Sequence, residues 1–318
     1  MYMNNLFLNI KNEFKYQYYS KYIIGLILIL FTLICFNFIS LRNSIFSNYE
    51  LFNKTALEYK NENLNIEEAL KEPVNIVDLG NEGNIIDNVL RYDFENLLKS
   101  IDNIKPSKIT SQMLSYLSFI FFPIIFGIYG VLISNYDLKF RTLKLRLLFT
   151  DIKAYILSKV ISISVVSIVV LFILMLVSAV ISYFLYGNIS SNPELSKFIN
   201  ISIPLNNSKN ILIQILFSLF IILLFSNLGF CIGILTRNVL TSSLIICMYI
   251  LIIPNLGKYD LKNTLIGIGN KLFEFSSNFQ LASPIGSLTF INYFILFFIF
   301  ILSILLPIII ENKRSHYI

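Results

Sequence analysis

The chain reads as an all-α, polytopic membrane protein: six transmembrane helices, a small helical extracellular domain and an N-terminal interfacial helix. That reading rests on where charge is missing, on bulk composition and on how charge is spread over the loops. Six windows, 22–41, 109–136, 160–193, 210–236, 238–257 and 275–310, contain no Asp, Glu, Lys or Arg. About 20 apolar helical residues cross the roughly 30 Å hydrocarbon core of a bilayer, and each window holds a segment of that kind. Apolar residues make up 56% of the 318 residues, mean hydropathy is +0.71 and only 14% are charged. A globular chain carries roughly 25% charged residues. Runs such as Ile211–Leu224 lack the alternation of a membrane β-strand, so helices must satisfy the backbone inside lipid.

Residues 1–21 come first. Leu6, Ile10, Phe14 and Tyr18 recur every four residues beside Lys11, Lys15 and Lys21, with Tyr16, Tyr19 and Tyr22 at the membrane edge. A basic, aromatic-rich amphipathic helix suits the inner bilayer surface, and the segment has no signal-peptide pattern. Span one follows over 22–41. Residues 42–110 then read as an acidic, soluble-looking domain. Ser47 with Glu50 three residues on resembles a capping box opening a helix to about Lys60. Pro73 and the Gly80–Gly83 pair punctuate the middle. Ile86, Val89, Leu90, Phe94, Leu97, Leu98 and Ile101 mark one face of a second helix, which Lys105-Pro106 ends. The region 111–318 holds spans two to six. Lys and Arg are densest in 1–21, 135–159, around Arg237 and in 311–318, which predicts both termini inside. The Asn-, Ile- and Lys-rich vocabulary looks like that of a low-GC bacterium, so the membrane expected is a bacterial plasma membrane.

Several chemistries find no residues to carry them. Cys35, Cys231 and Cys247 all fall in apolar windows and have neither metal-site nor disulfide spacing. The lone histidine, His316, is in the C-terminal tail, so neither a His zinc site nor a Ser-His pair is available. Glu67-Glu68 lies outside the spans and reads as a solvated helix face. No charge lies at mid-window, where a proton relay would need one. The net charge of +6 collects in membrane-proximal loops, which topology explains without nucleic acid. No phosphate loop of the Gly-x-x-x-x-Gly-Lys-Ser/Thr type is present. Within the spans, Asn227, Gly229 and Gly233, with Gly127 and Gly130 near Pro123, mark either close helix packing or a path.

The loop from Asn135 to Lys159 is the most informative segment. Basic residues at 139, 141, 144, 146 and 153 interleave with Leu143, Leu145, Leu147 and Leu148. With Asp137, Thr142-Leu143, Leu145, Leu147, Lys153, Ile156 and Lys159 it resembles the signature of ABC transporter permeases of the type-2 exporter class. It departs from that signature at Arg141, where Gly is usual, and at Thr150, where Pro is usual. The short Thr236-Arg237-Asn238 turn and the long segment 258–289, where the family places re-entrant helices, extend the similarity over nearly the whole chain.

The resemblance implies a permease that works as a pair, most simply a homodimer, with two cytoplasmic ABC ATPase subunits that carry ATP and Mg. This chain would then be no enzyme and hold no cofactor. Residues 137–153 would be the coupling helix, with Asp137, Arg141, Thr142, Leu143, Lys144, Arg146, Leu147 and Lys153 at the ATPase surface. Spans one and five would form the dimer contact, through Gly25, Thr32, Thr241, Ser242 and Ser243. An amphipathic cargo, such as a toxin or antimicrobial peptide, suits charge-free spans in contact with lipid. The competing expectation is a membrane-anchored sensor or immunity scaffold whose outer domain binds a partner without transport.

Overall fold

The structure is a computed structural model describing residues 2–78, 84–199, 201, 209–275 and 281–315. Gly80, Gly83, His316 and part of the 258–289 segment therefore lie outside the described residues. Among the described residues the fold is all-α apart from one antiparallel strand pair, β1 (Ile76–Asp78) with β2 (Asn84–Ile86). Helices follow in chain order: α1 (Tyr2–Tyr19), α2 (Tyr22–Asn61), α3 (Ile66–Ala69), α4 (Val89–Asn103), α5 (Ile109–Leu117), α6 (Phe121–Lys139) and α7 (Leu143–Phe149). Then come α8 (Ile152–Ser190), α9 (Ser196–Ile199), α10 (Ile211–Thr236), α11 (Val239–Cys247), α12 (Leu261–Leu272) and α13 (Phe290–Ser315). Five of them, α2, α6, α8, α10 and α13, are long and apolar enough to cross a membrane. The chain is thus compatible with a multi-pass membrane protein.

The helix in window 238–257 is shorter than the helices of the other five expected spans. Window 238–257 forms the nine residues of α11 and a five-residue π-helical continuation, Met248–Ile252. The cause is local: Pro254 disfavours helical backbone at the residue before it, and Ile253 is extended with ψ 123°. Span one departs in the other direction. No break occurs at Ser47, because α2 runs unbroken for 40 residues, about 60 Å at 1.5 Å per residue. A helix already nucleated upstream needs no new start signal, so the Ser47–Glu50 pattern lies inside it.

The chain divides into two compact units. The first comprises Met1–Thr32, Met113–Met175 and Lys209–Ile318. Its centre is the crossing of α6 with α10, to which α11 and α13 add. Gly127 and Gly130 on α6 face Gly229 on α10 so closely that a Cβ on Gly229 would overlap the Gly127 carbonyl. One on Gly130 would overlap the Ser226 carbonyl, and one on Gly233 the Ser134 hydroxyl. Asn227 is buried beside them, its amide donating to the Leu223 carbonyl at 2.9 Å.

The second unit is not built from 42–110 alone: Leu33–Gln112 is completed by Leu176–Ser208. Helix α4 buries Leu90, Phe94, Leu97, Leu98 and Ile101 and leaves Val89 exposed. Its Phe94 meets Phe52 and Phe198 with ring centroids 5.6 and 6.1 Å away. Asp93 accepts from Thr55 of α2 at 2.7 Å, and Ser182 of α8 donates to the Ile104 carbonyl at 2.8 Å. Among the described residues, four non-glycines have left-handed backbone, namely Lys21, Asn63, Arg141 and Arg237. Each lies just past a helix, where such a residue closes the last turn.

Candidate functional site

The loop singled out by its residue pattern is where the first unit concentrates its charge. Asp137 lies in the last turn of α6, a poor place for an anion because that end of a helix carries partial negative charge. It is 1% exposed, so its charge must be matched by neighbours in the protein. Lys159 of α8 sits 2.7 Å from Oδ2 and is itself 1% exposed. Arg146 of α7 reaches both carboxylate oxygens, at 3.0 and 2.8 Å. Tyr155 donates its hydroxyl to Oδ2 at 2.7 Å, and Thr142 donates to Oδ1 at 2.8 Å. Three helices are thereby fastened to one carboxylate.

A second layer brings in α1. Glu13, also buried, pairs with the free end of the Arg146 guanidinium, which stacks over the rings of Tyr16 and Tyr155 at 4.9 and 5.2 Å. Burial works against the Arg146 charge, but Glu13 and Asp137 outweigh it and raise its pKa further. One turn on, Gln17 donates to Ser162 of α8 at 2.8 Å and accepts from the Tyr129 hydroxyl of α6 at 2.6 Å. The inward side of α1 thus includes a polar pair, Glu13 and Gln17, while Tyr18 stays exposed.

The residues expected at an ATPase surface separate into two groups. Asp137, Thr142 and Arg146 belong to the buried cluster, and Leu143 is buried beneath α7. Leu147 is half-buried, whereas Arg141, Lys144 and Lys153 are exposed. The apolar side chains that α7 presents outward are Leu145, Leu148 and Phe149, the last two 75% and 83% exposed. Leu143 and Leu147, the apolar residues expected at a partner surface, are thus less exposed than Leu145, Leu148 and Phe149. Beside them runs a groove of about 230 Å³ between Asn9 of α1 and the segment Leu147–Asp151.

Both departures from the permease signature have a local conformation. Arg141 takes φ 57° at the end of α6, a state that costs a non-glycine residue roughly 1–2 kcal/mol. The turn closes through the Thr142 amide donating to the Asp137 carbonyl at 2.9 Å. Thr150 is extended at φ −139°, outside the range open to Pro, and its hydroxyl caps the Arg146 carbonyl at 2.7 Å.

Sequence reasoning passed over Glu13, Gln17, Tyr129, Tyr155 and Ser162. One signal was available: Glu13 is the sole acid before Glu50, set among lysines, with Gln17 one turn later. Among Gly127, Gly130, Asn227, Gly229 and Gly233, the glycines lie at the α6–α10 crossing, where backbone fills the space at Gly130 and Gly229, the Ser134 side chain that at Gly233 and the Ile246 side chain that at Gly127. No protein-family model, curated protein or solved structure matches the chain.

Proposed function

We propose that the chain is the membrane subunit of an ATP-driven exporter that moves an amphipathic substrate, such as a peptide, out of a bacterial cell. The observation that carries this reading is the construction of α7. On one side it is bolted by Arg146 to Asp137 of α6 and Glu13 of α1. On the other it presents Lys144, Leu145, Leu148 and Phe149 to solvent. An exposed apolar cluster ringed by cations suits a protein partner, and rigid fastening lets a push on α7 move α1, α6 and α8 together. ATP and Mg would be held by two copies of that partner. A second copy of this chain would complete the transport path, pairing through spans one and five, with α11 and its π-helical continuation as the fifth of six crossings.

Leu148→Asp with Phe149→Asp would put charge into the docked face without touching the buried cluster. The variant is expected to fold and insert, and to lose co-purification of an ATPase by at least tenfold. Intact-mass measurement of the unaltered complex should give two copies of this chain with two ATPases. An ATPase that stays bound to the double variant sinks the coupling site.

The density of Lys and Arg in 1–21, 135–159 and 311–318 favours both termini and α7 inside, with 42–110, a part of the second unit, outside. In a background lacking Cys35, Cys231 and Cys247, Lys60→Cys and Lys99→Cys occupy exposed positions of that unit. Impermeant maleimide should label both in intact cells, and labelling only after permeabilisation reverses the orientation.

A further inference from the structure

Two charge-free windows end at the same place in the first unit. Tyr22 opens window 22–41 and Tyr136 closes window 109–136, and their rings meet edge to face with centroids 6.1 Å apart. Tyr16 of α1 packs on Tyr136 at 5.8 Å, and Phe140, at the end of α6, lies 4.7 Å from it. Four rings from α1, α2 and α6 thus form one cluster centred on Tyr136. Tyrosine gathers where hydrocarbon gives way to headgroups, because its ring is apolar and its hydroxyl wet. The cluster is partly open, with Tyr16 and Phe140 exposed. The hydroxyls of Tyr16, Tyr22 and Tyr136 donate to no described residue.

The first exposed charges beyond both windows are cations. Lys21 directly precedes Tyr22, and Lys139 follows Tyr136 by three residues, with its ammonium 5.5 Å from the centre of the Phe140 ring. Among the described residues neither forms an ion pair. The acids near the cluster are matched already: Asp137 holds Lys159 and Arg146, and Glu13 holds Arg146. Arg146 lies over the Tyr16 ring, and its charge is spent on those two carboxylates. Asp151, an exposed acid, lies with Asn9 at the groove two turns earlier along α1. Two ammonium groups and three phenol donors therefore stay free around the rings.

We propose that this cluster binds the headgroup of an anionic phospholipid. The phosphate would accept from the phenols and lie against Lys21 and Lys139, and the acyl chains would follow the exposed apolar surface of α2. Basic groups placed where spans leave the hydrocarbon are the chemistry that recognises acidic lipids. A zwitterionic lipid would bring a cation of its own beside two lysines and gain less. The site stands whether or not the chain works with an ATPase.

Native mass measurement of the delipidated full chain tests the site, with dioleoylphosphatidylglycerol and dioleoylphosphatidylcholine added in equal amounts to its dodecyl maltoside micelles. Phosphatidylglycerol is expected to be retained at least tenfold over phosphatidylcholine. Lys21→Gln with Lys139→Gln should lower phosphatidylglycerol retention at least fivefold and leave phosphatidylcholine unchanged. Tyr16→Phe, Tyr22→Phe and Tyr136→Phe together keep the rings and remove the donors; this variant should lose at least twofold and serves if the first does not fold. Lys54→Gln with Lys60→Gln removes the same charge from exposed positions of the second unit and should change nothing. Inorganic phosphate equimolar with the lipid should not compete. Equal retention of both lipids, equal loss in the two lysine variants, retention that neither site variant lowers, or competition by inorganic phosphate overturns the inference.

Discussion

Replacing Asp137 by Asn is expected to destabilise the protein by about 3–5 kcal/mol, the range for removing one partner of a buried ion pair. The geometry explains a loss of that size for a change of so few atoms. Asp137 answers two cations at once, Lys159 at 2.7 Å and Arg146 at 2.8 Å. Without its charge, Lys159 is left 1% exposed with the Ile133 carbonyl at 2.9 Å and the Tyr155 ring, and Arg146 must rely on Glu13. Denaturant or thermal unfolding in detergent reads the effect directly. A second variant separates charge from shape: adding Lys159→Met to Asp137→Asn removes the stranded cation, so the pair should recover at least half the loss. A loss below about 1 kcal/mol for Asp137→Asn, or no recovery in the pair, would mean that the cluster does not hold these helices together.

Gly229→Leu carries the second large effect, by a steric route. A Cβ at that position already overlaps the Gly127 carbonyl. Backbone cannot move aside as a flexible side chain can, so α6 and α10 would have to separate. Small-to-large changes in close-packed sites cost typically 1–3 kcal/mol. The upper end or beyond is expected here, because the obstacle is main chain. Gly187→Leu on α8 is the matched control, since nothing lies within 4 Å of the added carbon there, and it should leave unfolding unchanged or slightly improved. Equal behaviour of the two variants would show that the α6–α10 crossing is looser than its glycines indicate.

How much could be read from the sequence depends on the range of the interaction. The charge-free windows reported spans well, because lipid acts on each segment separately. The windows containing α2, α6, α8, α10 and α13 became long apolar helices for that reason. The shortness of α11 was only partly legible: Pro254 was visible, but a π-helical turn leaves no periodic signature. Continuity of α2 through Ser47 was hidden because a capping pattern looks the same inside a helix as at its start. At the candidate site, Asp137, Thr142 and Arg146 were singled out as a surface for a partner, yet they close inward. Asp137 is held there by Lys159 and Tyr155 of the next long helix, and Arg146 is also drawn in by Glu13, 133 residues away in sequence, a distance at which no local pattern reports a pairing. Leu143 illustrates the same limit. On a seven-residue helix, one apolar side chain faces in and its neighbours Leu145 and Leu148 face out.

The polar side of α1 also imposes an order on biosynthesis. Glu13 and Gln17 leave the ribosome long before Arg146 and Ser162, which lie 133 and 145 residues later. At bacterial or eukaryotic elongation rates of about 5–20 residues per second, that gap is on the order of ten seconds. During it the Tyr129 hydroxyl of α6 is the first of these polar partners to be made, and the full set exists only when α8 has been made. Truncated nascent chains ending before Arg146 should therefore leave α1 open to protease, while chains extending past Ser162 should not. Late seating of the first-made helix would act as a checkpoint, since the α1 latch closes only on a chain whose α6, α7 and α8 have already come together.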